Sequence, residues 1–179
     1  VGKRKSTPTK DVNMADNAID VYLNDHLAGA MLGSDLAEHL RAENQGTALG
    51  LLMESLALEI EQDRQTLMEL MQHMDSSKNP VKRATAWIAE KASRAKFGGA
   101  TSGDPELGTF MALETLTLGV RGKACMWETL KRVADQHPAI ASVNLDELIY
   151  RASIQESALE RERLASGTRA LANQVGTAA

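Results

Sequence analysis

Cysteine is almost missing from this 179-residue chain. A single residue, Cys125, leaves no internal disulfide to form and fits a reducing compartment. Aromatic residues are also scarce, at 3%. That disfavours a β-sandwich, which draws on β-branched and aromatic side chains. No run of about 18 uncharged apolar residues occurs, so no membrane span is expected. The first residues carry no apolar signal-like stretch, and the expected location is cytoplasmic. Nor is there a large charge of one sign. A net charge of −4 gives no global reason to expect nucleic-acid binding. Prolines number only four, and three of them mark helix boundaries.

What remains is rich in Ala, Leu and Met, with 43% hydrophobic and 25% charged residues. These unbranched side chains lose little rotamer freedom on a helix, so the composition favours an all-α protein. Residues 1–15 show no hydrophobic period and read as a disordered basic tail. From Asp16, a candidate N-cap, the pattern turns helical. Ile19, Leu23, Leu27, Met31, Leu36 and Leu40 recur at helical spacing over about 17–45. Gly46 reads as the residue ending that helix, and Thr47 as the cap of a second over about 48–75. The stripe of this second helix includes Leu51, Leu52, Ser55, Leu56, Ile60, Leu67, Leu70 and Met74. So short a turn between two helices of about 42 Å each forces an antiparallel hairpin.

Asn79-Pro80 opens a short helix over about 80–97. Asp104-Pro105-Glu106 starts a long one over about 105–136, halted by His137-Pro138. Asn144 and Glu147 have capping-box spacing and open the last helix, about 145–169. The expected organisation is a single bundle domain over 16–170, followed by a flexible tail over 171–179. The long connection with its crossover helix lets the third helix run in the direction a ferritin-like bundle requires.

Charge is unevenly spread. The tail carries Lys3, Arg4, Lys5 and Lys10, the second helix is acidic, and residues 80–97 are basic with Trp87 and Phe97. The preferred reading is that the basic helix covers the bundle and complements the acidic one. A membrane-surface or partner helix is the alternative. Four basic residues in the tail offer only a salt-sensitive, non-specific contact with DNA, so a solubilising tail is preferred.

The segments Tyr22-Leu-Asn-Asp-His26-Leu-Ala-Gly29, Glu59-Ile-Glu61-Gln-Asp63-Arg64 and Leu118-Gly119-Val120-Arg-Gly122-Lys123-Ala-Cys-Met-Trp127 carry a family resemblance. Over about residues 17–165 the chain resembles a divergent, uncharacterised bacterial branch of the ferritin-like superfamily. The resemblance implies a ferritin-like four-helix bundle and no particular activity. A ferritin-like di-iron site needs a Glu from each of two helices and a Glu-x-x-His pair from each of the others. In this chain the residues three before the four histidines are Leu23, Leu36, Leu70 and Ala134. Both Glu-x-x-His pairs are therefore missing, and no metal or other cofactor is expected.

Candidate residues each have a plainer reading. His39, His73 and His137 fall at helix ends, where a donor suits the helix dipole. His26 lies beside the buried stripe and reads as a hydrogen-bonded, partly buried histidine before it reads as a ligand. Glu59, Asp63 and Glu114 are acids on helix faces that also carry apolar residues. They form either a solvated acidic face or a salt-bridged polar layer where relatives hold metal. The layer would need Arg121, Lys123 and Arg151 as partners, since an unpaired buried carboxylate is very costly. Gly29, Gly119 and Gly122 read as points of close helix approach, and Cys125 as a small core residue.

Three functions from different classes follow. The favoured one is a non-catalytic helical protein acting through protein–protein contacts, as a homodimer among other assemblies. An iron-handling oxidase with an atypical carboxylate site and a nucleoid-associated DNA-binding protein are the alternatives.

Overall fold

The computed structural model describes residues 11–74 and 104–172, and all secondary structure among them is helical. The expected helix over 80–97, with Trp87, Phe97 and its basic charges, lies outside the described residues, as does the tail over 1–10. Four long helices dominate: α1 (Asp11–Glu43), α2 (Ala48–His73), α3 (Pro105–Val133) and α5 (Leu145–Ala172). A 3-10 turn (Ala134–Gln136) and a four-residue α4 (Pro138–Ala141) make the corner between α3 and α5.

The helix starts follow from local chemistry. The Thr47 hydroxyl accepts a hydrogen bond from the Gly50 amide at 3.1 Å. The Asp104 carboxylate accepts from the Glu106 and Leu107 amides at 3.0 and 3.3 Å, with Pro105 in the first turn. The Asn144 side-chain carbonyl caps the last helix by accepting from the Glu147 amide at 3.3 Å, and its side-chain NH2 donates to the Glu147 carboxylate at 2.9 Å. Gly46 has φ of 76°, the left-handed geometry that ends α1 and turns the chain into α2.

Three boundaries differ from the sequence expectation. α3 ends at Val133, three residues short of the expected 136, because its last turn, Ala134–Gln136, tightens to 3-10. α1 begins at Asp11 instead of Asp16, so residues 11–15 belong to a helix and not to the tail. The stretch Asp-Val-Asn-Met-Ala contains no helix breaker. α5 runs on to Ala172, because Ala170 is still buried against the other helices.

Two apolar clusters give the helix directions. One joins Leu23 and Leu27 of α1 to Leu67 and Leu70 of α2 and to Trp127 and Leu130 of α3. The other joins Leu40 of α1 to Met53 and Leu56 of α2 and to Leu113 and Leu116 of α3. Both α2 and α3 therefore run antiparallel to α1. Between α3 and α5 the pairs Lys131–Asp146, Arg121–Glu156 and Glu114–Arg163 step in opposite directions, so these two are antiparallel as well. The order is up, down, down, up. α3 packs most extensively on α5 and α1 on α2, while α2 and α5 touch only slightly.

Several residues turn away from the core. Leu51 and Ser55 of α2 and Leu118 of α3 belong to the apolar stripes by spacing, yet all three are exposed. Each lies about half a turn from the buried positions that flank it, such as Met53, Leu56 and Leu116. Cys125 is exposed for the same reason and is not a core residue.

Candidate functional site

The two apolar clusters are separated by a polar group that α2, α3 and α5 build together. Asp63, one turn after Glu59 on α2, is 2% exposed. Its carboxylate accepts hydrogen bonds from the Lys123 ammonium of α3 and the Arg151 guanidinium of α5. Lys123 also donates to the Gln155 side-chain carbonyl at 2.5 Å, and Gln155 donates to Glu59 at 2.9 Å. These contacts bridge α2 and α5 where their backbones barely meet. Burial pulls the Lys123 ammonium below its ordinary pKa, and the Asp63 carboxylate pulls against that shift. Each charge is tolerable inside only because the others are there.

Of the candidate residues, Glu59, Asp63, Lys123 and Arg151 are brought together and three are not. Glu114 pairs with Arg163 at 3.3 Å, half-exposed on the α3–α5 seam. Arg121, 64% exposed, pairs with Glu156 at 3.1 Å on the same seam. His26 lies apart on α1, with its ring edge-on to Tyr22 at 4.6 Å between centroids. Burial lowers its pKa, with Asp25 opposing. Gln155, the hub between Lys123 and Glu59, was not anticipated. Its signal is a polar residue at a stripe position, between Ala152 and Leu159 on α5.

His26 and the ion group face one cleft. A cavity of about 330 Å³ lies between α1 and α3 and reaches inward to Ile60, Asp63 and Leu67 of α2. Its sides carry Gly29 and Gly33 from α1 and Gly119 and Gly122 from α3. These glycines are not points of close approach. A Cβ added at Gly29, Gly119 or Gly122 would meet nothing within 4 Å, and at Gly33 only Leu116 at 4.0 Å. The missing side chains leave space, and the exposed Gly29 and Gly119 mark its mouth. The inner wall includes Trp127, fully buried, whose indole N–H finds no acceptor among the described residues.

Among the described residues no group of three or more His, Cys, Asp or Glu side chains is arranged to hold a metal ion. No helix among them is long and apolar enough to cross a membrane. The chain matches no family model, and no curated protein or solved structure matches it.

Proposed function

We infer that the chain is a ferritin-like four-helix bundle that acts by binding and has no di-iron centre. The observation that carries this reading is Asp63 held between Lys123 and Arg151 midway along the helices. Di-iron bundle proteins place their inward-projecting carboxylates and imidazoles in the bundle core. Here the fully buried carboxylate is already neutralised, and two fixed cations beside it oppose a dication. The missing Glu-x-x-His pairs and the up-down-down-up helix order support the same reading.

The test is metal content, measured after purification without added metal and again after anaerobic loading with Fe(II). Near-zero stoichiometry in both is expected. One or two tightly held ions per chain, lost in Asp63→Asn or Glu59→Gln, would overturn the reading.

The binding is to protein, with a second copy of the chain as the first partner to test. Support comes from Tyr150 and Ile154, one turn apart on α5, and Leu51 and Leu58, two turns apart on α2, which remain exposed. Light scattering that gives twice the chain mass is the expected result. A single-chain mass at every concentration would rule the homodimer out.

A further inference from the structure

Glycine inside a helix destabilises it by up to about 1 kcal/mol relative to alanine, so helical glycines call for a reason. Gly29 and Gly33 are four residues apart on α1, and Gly119 and Gly122 three apart on α3, so each pair shares a helix face. Close packing is not the reason, because added Cβ atoms at Gly29, Gly119 and Gly122 would meet nothing. What the four have in common is the cleft they line.

A second observation comes from Trp127. A buried indole N–H normally has an acceptor, and leaving it without one is unfavourable. This one, in a fully buried side chain of the cleft wall, has none among the described residues. An indole N–H only donates, so whatever satisfies it must accept.

The charges of the wall narrow the choice. Lys123 is committed to Asp63 and Gln155, and Arg64 to Glu61 at 2.5 Å. Burial favours the neutral form of His26. Among the described residues, no cation of the wall is left to balance an incoming anion. From these three observations we propose that the glycine-lined cleft between α1 and α3 is a binding site for a small, neutral, mainly apolar molecule with a carbonyl-type acceptor for the Trp127 N–H. The volume lies at the lower end of the roughly 300–1,000 Å³ usual for ligand cavities, which suits one or two rings or a short chain.

Three probes with one skeleton test this: 1-acetonaphthone, 1-ethylnaphthalene and 1-naphthoate. The ketone should bind the full chain saturably and move the Trp127 indole ¹H–¹⁵N resonance, identified by its loss in Trp127→Phe. It should bind about five-fold tighter than the hydrocarbon, the margin of one hydrogen bond, and Trp127→Phe should erase that margin. Gly119→Leu, which puts a side chain into the mouth, should abolish binding while keeping the helical circular dichroism. If Trp127→Phe fails to fold, the resonance shift in the wild type and its loss in Gly119→Leu carry the test. No saturable binding, equal affinity for ketone and hydrocarbon, a preference for the naphthoate, or undiminished binding to Gly119→Leu would each overturn the proposal. Metal uptake by the protein would sink the reading of its centre and leave this result standing.

Discussion

Asp63→Ala would leave the Lys123 ammonium and the Arg151 guanidinium facing each other with no carboxylate between them. Breaking a buried ion group by removing one member typically destabilises by about 3–5 kcal/mol, and chemical denaturation should show a loss of that order. Glu114→Ala removes only a half-exposed pair with Arg163, and the same measurement should register at most about 1 kcal/mol. The spacing of the acids did not separate these two cases. Asp63 and Glu114 both sit in helices dense with leucine, and only the rotation of each helix decides which carboxylate turns inward.

His26 yields a prediction in pH. Its folded pKa lies below the ordinary 6.5, mainly through burial, so the unfolded chain takes up a proton more readily than the folded one. Its contribution is therefore complete above 6.5 and is lost as pH falls toward the folded value. The charged groups around it on the cleft are Asp25, Asp63, Arg64 and Lys123. The carboxylates with lowered values, Glu38, Glu61 and Glu160, lose their contributions only as pH falls below 4.5, outside this window. Thermal melts at about pH 7.5 and 5.5 should show a lower midpoint in acid, and His26→Asn should shrink that difference.

On the helices, glycine tells the open positions from the crowded ones. Gly29→Ala and Gly119→Ala place a methyl in open space on a helix, and each should raise stability by about 0.5–1 kcal/mol. Gly50→Ala should do the opposite. Its Cβ would stand 2.1 Å from the Asn44 carbonyl oxygen, a backbone atom of the α1–α2 turn that cannot step aside. Gly167→Ala meets the Phe110 ring at 2.7 Å and should also be unfavourable, less so because a phenyl ring can shift. Urea midpoints of the four variants check the order. Caps were legible because they depend on neighbours in sequence: Thr47, Asp104 and Asn144 each serve an amide two or three residues on. Gly29 and Gly119 could not be read that way. A glycine that admits a neighbouring helix and one that keeps it away look alike in one dimension.

Across the whole molecule, the ion group is a polar layer between two apolar clusters. A buried ion group of this kind is weak evidence of stability, since apolar residues of similar volume often do as well or better. Replacing the layer together, as Asp63→Leu, Lys123→Met, Arg151→Met and Gln155→Leu, should leave stability unchanged or raise it by about 1–4 kcal/mol. The single Asp63→Ala should lower it sharply. A combined variant that melts far below the wild type would mean that the layer stabilises the fold in its own right.

Helix identity, caps and the antiparallel hairpin of α1 and α2 were determined by the sequence alone, because they rest on propensity, spacing and contacts a few residues apart. The absence of both Glu-x-x-His pairs was equally plain there. Tertiary structure alone decided that Asp63 and not Glu114 is buried, that Gln155 joins Lys123 to Glu59, and that four glycines open a cleft beside an unsatisfied indole. Each of these depends on how helices far apart in sequence are rotated and spaced, and helical periodicity leaves that angle and that gap undetermined.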